Sequence, residues 1–195
     1  MNILIGCESS GTVREAFRKL GHDAISCDIL PADDGSTHHI QGDVVDAIKS
    51  RQWDIIIIHP PCTALAVSGN RWYGTGMPKH DERIAAIEWT MALWEMAKQH
   101  APMVCMENPV GTLLIKPTQY IQPFQFGHNE SKKTGLWLHG LDPLQTTNYI
   151  SMPLCGYRDN QTPSGQNKLG PSPDRWKLRS KTYQGIADAM AQQWG

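Results

Sequence analysis

The chain's 195 residues suffice to bury a sizeable core as one domain, and 40% hydrophobic with 19% charged residues describes an ordinary globular protein. A net charge of −1 gives no strong overall nucleic-acid signal. Five widely spaced cysteines, with no Cys-x-x-Cys and no zinc-like spacing to the eight histidines, argue against a disulfide framework or a metal site and fit a reducing cytoplasm.

Asn2–Ile5 reads as a first strand and not as a signal peptide, and no later run approaches membrane-spanning length, so neither metal nor membrane is expected as a partner. Gly6-Cys7-Glu8-Ser9-Ser10-Gly11 follows as a tight loop. Thr12–Leu20 is then a helix with Val13, Ala16, Phe17 and Leu20 on one face, closed by Gly21. Asp23–Asp28 is predicted as a second strand ending in an acid. Ile29–Gln41 is predicted as an irregular loop containing His38-His39, and Gly42-Asp43 opens a short helix over Val44–Arg51.

Asp54–Ile58 is the next strand, a β-branched run closed at His59-Pro60-Pro61. Proline fixes φ and removes a backbone donor, so the chain turns sharply there. Cys62 thus stands at the carboxyl edge of the sheet, where α/β folds place their chemistry. The long segment from Thr63 to Asp81, carrying Arg71, Trp72 and Tyr73, reads as a functional lid. Asp81 is the expected N-cap of a long helix with Ile84, Ile87, Met91 and Trp94 as its core-facing stripe. Met103–Met106 is a buried strand stopped at Glu107-Asn108-Pro109. Gly135–Leu138 is another strand, Pro143–Lys177 mostly loop, and Gly185–Trp194 a final helix with Ile186, Met190 and Trp194 inward. Strands alternating with helices over residues 1–109 indicate a doubly wound, mostly parallel α/β sheet of Rossmann-like type.

Charge is unevenly spread. Residues 1–127 hold 10 Lys+Arg against 14 Asp+Glu, and residues 128–195 hold 8 against 5. Lys168, Arg175, Lys177, Arg179 and Lys181, opposed only by Asp174, form either a phosphate-neutralising stretch or an ordinary solvated loop.

Two constellations carry chemistry. The loop Gly6–Gly11 followed by Asp28 at the end of strand two places an acid where ribose hydroxyls bind, and Asp43 at the next turn is placed to accept from an adenine amino group. The alternative is that both acids cap local turns. Cys62 and Glu107, each at a strand end, form a nucleophile and a carboxyl able to hold a substrate ring across one pocket. A buried, unpaired carboxylate has few structural uses, so the pair is more informative than either residue.

His59-Pro60-Pro61-Cys62 and Glu107-Asn108-Pro109 resemble the Pro-Pro-Cys and Glu-Asn-Val motifs of S-adenosylmethionine-dependent DNA cytosine C5 methyltransferases. Phe126-Gly127-His128-Asn129-Glu130-Ser131-Lys132-Lys133-Thr134 looks like their aromatic-Gly-Val-Pro-Gln-x-Arg-x-Arg motif. Arg179-Ser180-Lys181-Thr182 and Gly185–Met190 are similar to their closing segments. The resemblance covers most of residues 1–150 and the last 20. It departs at Gly-Cys-Glu-Ser-Ser-Gly, where the family has aromatic-x-Gly-x-Gly, at Lys132 and Thr134, which replace arginines, and at Thr63, which replaces glutamine.

The resemblance implies a class I methyltransferase fold in one domain over 1–195, with a reduced target-recognition region over 139–178, similar to small stand-alone proteins of phages and prophages. It implies Cys62, Glu107, Asn108 and Lys132 as catalytic residues. Gly6, Cys7, Glu8, Gly11, Asp28, Ile29, Asp43, Val44 and Pro60 would bind S-adenosylmethionine, and Arg71, Trp72 and Thr134 would meet a cytosine flipped out of DNA. Rival readings are an amino-methylating site, a free-nucleotide or single-stranded substrate, a domain that binds DNA or cofactor without catalysis, and an NAD-binding domain.

Overall fold

Four consecutive isoleucines, Ile55–Ile58, can all be buried only in a strand covered on both faces, and that strand lies at the centre of the sheet. The fold is a computed structural model describing residues 1–170, 172 and 175–195, apart from the side chain of Trp176. Positions 171, 173 and 174 of the predicted C-terminal loop, Asp174 among them, lie outside the described residues. The strands are β1 (Asn2–Gly6), β2 (Asp23–Asp28), β3 (His39–Gln41), β4 (Ile55–Ile58), β5 (Met103–Pro109), β6 (Gln119–Ile121) and β7 (Thr134–His139). The helices are α1 (Thr12–Lys19), α2 (Val44–Lys49), α3 (Asn70–Tyr73), α4 (His80–His100), α5 (Arg175–Ser180) and α6 (Gln184–Trp194).

The strands form one seven-stranded sheet in the order β3-β2-β1-β4-β5-β7-β6. β1 to β5 pair in parallel, and β7 runs antiparallel to both β5 and β6. The protein is therefore α/β with a mostly parallel mixed sheet compatible with a Rossmann-like fold. Side chains alternate faces along a strand. Ile3, Ile5, Ile55 and Ile57 accordingly pack with Val13 and Phe17 of α1 and with Ile186, Met190 and Trp194 of α6. Leu4, Ile56 and Ile58 pack on the other face with Val44 and Ile48 of α2 and with Leu93, Trp94 and Ala97 of α4. Helices thus cover both faces.

Several expected boundaries move, each for a reason of pairing or packing. The segment Ile29–Gln41 is not wholly loop, because His39–Gln41 pairs with Ser26–Asp28 as β3. β5 does not stop at Glu107-Asn108-Pro109. Its parallel partner β4 ends opposite Met106, while β7 pairs with it as far as Pro109. The predicted loop Thr63–Asp81 contains α3 and a 3-10 turn at Val67–Gly69. α4 begins at His80 after Lys79, so Asp81 sits within its first turn and is not its cap.

The core face of α4 is Arg83, Thr90, Leu93, Trp94 and Ala97, and Ile84 of the expected stripe is exposed. Arg83 sets that rotation. Its guanidinium is buried and donates to the carbonyls of Ala64 and Ala66 and to Asn70 Oδ1, so the helix turns toward the segment it anchors. β6 lies in a stretch for which the sequence suggested no element, and α5 overlaps the end of the predicted loop Pro143–Lys177. The terminal helix has Ile186, Met190 and Trp194 buried, as expected.

Ile57 is fully buried between β1 and β5 and touches the α1/α6 core. Replacing it with alanine should lower unfolding stability by about 2–5 kcal/mol. Urea unfolding should show a lower midpoint with an unchanged slope.

Candidate functional site

The carboxyl edge of β1, β4 and β5 is assembled by register. β4 lies between the other two with Gly6, Ile58 and Met106 level, so the residues following each strand emerge side by side. The His59 amide donates to the Gly6 carbonyl at 2.9 Å, tying the corner before the double proline to the end of β1. Glu107, one step beyond Met106, meets His59 there, with Nδ1 2.6 Å from Glu107 Oε2. The Thr182 hydroxyl, just before α6, donates to the same oxygen at 3.3 Å. Asn108 is buried and its Nδ2 donates to the Pro60 carbonyl at 3.0 Å, so β5 fixes the turn that carries Cys62. Leu65 and Ala66 amides close a helical turn on the Cys62 carbonyl.

Electrostatics join these groups. Burial works to raise the Glu107 carboxyl. The His59 hydrogen bond and charge, the Lys132 charge and the Thr182 hydroxyl outweigh it and hold the group at about 2. Burial works to lower His59, but the Glu107 hydrogen bond and charge, with Glu8 adding to them, leave it raised, with Lys132 opposing. Burial raises the Cys62 thiol. Lys132 pulls it down, Glu107 pushes it up and Arg179 pulls it down, and the thiol stays above its ordinary value. Cys62 is half-buried and rests as a thiol within the fields of Glu107 and Lys132. Lys132 is held by its own amide, which donates to Gln122 Oε1, and by its ammonium, which donates to the Lys181 carbonyl. Thr134 is buried in β7 and its hydroxyl donates to the Lys132 carbonyl at 3.1 Å.

The loop after β1 is shaped around Glu8. Its nearly buried carboxylate accepts from the Val13 amide at 2.7 Å, the Arg14 amide at 3.3 Å and the Ser10 hydroxyl at 3.2 Å. An in-chain anion therefore occupies the N-terminus of α1, the position where dinucleotide-binding folds seat a pyrophosphate. Cys7 adopts a left-handed φ of 57°, an uncommon conformation for a residue with a Cβ. A Cβ at Gly6 would lie 2.6 Å from Val44 Cγ2, so only glycine lets β1 approach α2 this closely.

Asp28 Oδ1 accepts from the Leu30 amide at 2.9 Å, and Asp43 Oδ1 caps α2 through the Val45 amide at 2.8 Å. The second oxygen of each carboxylate has no hydrogen bond among the described residues. Burial pushes the Cys7 thiol up to about 12, with Asp28, Cys27 and Asp43 adding to it, so the two acids and Cys7 share one neighbourhood. Ile29 is exposed beside Asp28, and Pro60 is buried.

Arg71 and Trp72 lie exposed on α3, the guanidinium carbon 5.5 Å from the indole centroid. The buried Arg83 anchors the segment that carries them. The structure thus gathers Cys62, Glu107, Asn108 and Lys132 at one edge and the Gly6–Glu8, Asp28, Asp43 group beside it. Two members of this edge were given no role of their own by the sequence: His59, whose signal was an ionisable residue directly between a buried strand and a double proline, and Thr182, which entered only as the last residue of the closing segment Arg179-Ser180-Lys181-Thr182.

Among the described residues, no group of three or more His, Cys, Asp or Glu is arranged to hold a metal, and no helix is long and apolar enough to cross a membrane. No protein-family model matches this chain, and no curated protein matches it.

The His59–Glu107 pair has a pH signature. Glu107 is depressed, so its contribution to stability is present above the ordinary value of 4.5 and is lost as pH falls toward about 2. His59 is raised, so its contribution is present below 6.5 and is lost as pH rises through its elevated value. His59→Leu should therefore cost most between pH 4.5 and 6.5, by about 3–5 kcal/mol as expected for half of a buried pair. Urea unfolding of both proteins across pH should show the deficit shrinking on either side of that window.

Proposed function

We propose that this protein transfers a methyl group from S-adenosylmethionine to carbon 5 of cytosine in DNA through a covalent Cys62 intermediate. The observation that carries the reading is the joining of Cys62 and Glu107 at adjacent strand ends. Asn108 holds the Pro60 carbonyl, and the Glu107 carboxylate acts electrostatically on the Cys62 thiol. The mostly parallel sheet, with helices on both faces and its chemistry at the carboxyl edge, supports the class I methyltransferase fold that the motifs imply.

The cofactor rim fits S-adenosylmethionine better than a dinucleotide. The free oxygens of Asp28 and Asp43 suit a ribose and an adenine amino group. Glu8 already fills the helix terminus that a pyrophosphate needs, so phosphate there would meet a buried carboxylate. S-adenosylmethionine supplies the electrophilic methyl. Gly6, Cys7, Asp28, Ile29, Asp43, Val44 and Pro60 line the edge where it would be held.

Carbon 5 of cytosine is a weak nucleophile until carbon 6 carries an added thiolate, which makes the ring enamine-like. Cys62 is the thiol at this edge, and Lys132 and Arg179 are the charges that favour its ionised form. Glu107 holds the N3 and exocyclic-amine edge of the base. Lys132 faces the developing charge, Thr134 fixes the Lys132 turn, and Arg71 and Trp72 on the segment anchored by Arg83 close over an extruded base. Residues 139–178, with their basic flank, supply the contacts to DNA.

Cys62→Ala should abolish methyl transfer while leaving S-adenosylmethionine binding by calorimetry within a few-fold of wild type. Base-resolved mapping in DNA from cells expressing the wild-type chain should show 5-methylcytosine, and the variant should leave none. Methylation retained by the alanine variant would reject the covalent assignment, and equal incorporation into free nucleotides would reject DNA as the substrate.

A further inference from the structure

The catalytic edge contains an ionisable group that the reading above leaves without work. His59 is mostly buried at the corner between β4 and the double proline, and its Nδ1 lies 2.6 Å from Glu107 Oε2. Its other ring nitrogen, Nε2, is buried and has no hydrogen-bond partner among the described residues. A proton on this ring therefore has one route to the substrate edge, through Nδ1 to the Glu107 carboxylate. The backbone reinforces that route, since the His59 amide is tied to Gly6 and the register of β4 against β5 fixes the ring beside Glu107.

Cysteine addition to cytosine creates a demand for such a proton. As the Cys62 thiolate forms the sulfur–carbon bond at carbon 6, the ring π electrons shift until the C4=N3 pair rests on N3, which must take up a proton. Glu107 held as a carboxylate has none of its own to give.

We infer that His59 is the proton reservoir for the reaction, delivering its Nδ1 proton through Glu107 to N3 of the base during addition and recovering it by the same path when the cysteine is eliminated. The inference rests on the cytosine C5 reading and names where its proton comes from. The protons balance. Addition leaves His59 neutral, Glu107 ionised and N3 protonated, with the thiol's own proton released to solvent. Once carbon 5 has taken the methyl group, loss of the carbon-5 proton to water re-forms the C5=C6 bond and expels the Cys62 thiolate, and the N3 proton returns through Glu107 to His59. His59 acts through Glu107 and is a positioning and proton-supplying residue, while Glu107 touches the base.

The charges facing His59 set the pH at which it works. Glu107 on β5 and Glu8 on the β1–α1 loop stabilise the imidazolium, and Lys132, before β7, opposes them. Thr182, before α6, donates to the oxygen that His59 shares. Cys62, on the same corner as His59, titrates in the opposite sense for catalysis, so its ionisation must be followed separately by alkylation rate.

The test compares wild type with His59→Gln, which retains a donor near Glu107 but has no proton to give up. Two probes are used: random-sequence duplex and single-stranded oligonucleotides containing cytosine, and the same oligonucleotides with 5-azacytosine. The aza nitrogen makes carbon 6 electrophilic enough for a thiolate to add with little help from N3 protonation. The glutamine variant should methylate cytosine about 10²–10⁴-fold more slowly, the usual range for a lost general acid. It should also lose the alkaline fall in rate that wild type shows through His59, after correction for Cys62 ionisation. It should still form the covalent adduct with 5-azacytosine, without S-adenosylmethionine, within a few-fold of wild type on a denaturing gel. Wild-type methylation rates in the variant would overturn the inference, as would equal losses on both bases, which mark a structural role. Wild-type protein that neither methylates cytosine nor traps 5-azacytosine would overturn the cytosine reading itself.

Discussion

A carboxylate at the buried end of β5 would ordinarily take up a proton, because removing an unpaired charge from water costs several kcal/mol. Glu107 stays ionised because His59 meets it across the β4–β5 boundary and Thr182 and Lys132 add to that support. The pairing in turn requires the end of β4 to lie level with Met106, one step before Glu107, which the register from Ile55↔Met103 to Ile58↔Met106 imposes. Asn108 passes the same register to the Pro60 carbonyl and so to Cys62. One strand alignment therefore places the Glu107 carboxylate, its His59 counter-ion and the Cys62 thiol.

The loop after β1 depends on that corner as well, since the hydrogen bond from His59 to Gly6 joins the end of β4 to the start of that loop. On the rim, Glu8 does inside the chain what a bound phosphate does in dinucleotide folds, and α1 is stabilised without an external anion. Arg14, buried beneath the loop, donates to Ser26 on β2 and pairs with Asp34 beyond it. The segment following Asp28 is thus fastened to α1. Both rims of the proposed cofactor site are anchored from below by the same helix.

Much of this was readable from residue order. β2, the double-proline corner and the inward face of α6 follow from runs whose period and punctuation admit one interpretation. Cys62 and Glu107 stood out because each is a reactive group at a strand end. What escaped was decided by partners far away in sequence. β3 and β6 are three residues each, too short to carry a period, and exist because β2 and β7 offer them an edge. β5 outruns its expected stop because β7 continues the ladder. α4 turned its Ile84 outward because burying the Arg83 guanidinium among carbonyls fixed the helix rotation. His59 was legible as an ionisable residue at a corner, but its partner lies 48 positions away, beyond any local pattern.

The reversed direction of β7 limits how the polypeptide after it can be used. β7 starts beside Pro109 at the carboxyl edge of β5 and finishes at His139 opposite Val104, at the far edge. Residues 144–150 then climb back alongside 119–126, and only at 158–160, through Asn160 and Ser131, does the chain regain the level of Lys132. Much of the insertion is therefore a return journey across the height of the sheet, with its course dictated by topology. The arrival point is itself fastened, because the buried Arg158 guanidinium donates to Asn129 Oδ1 and to the Ile150 and Ser151 carbonyls, so shortening that stretch would pull apart the ascent that precedes it.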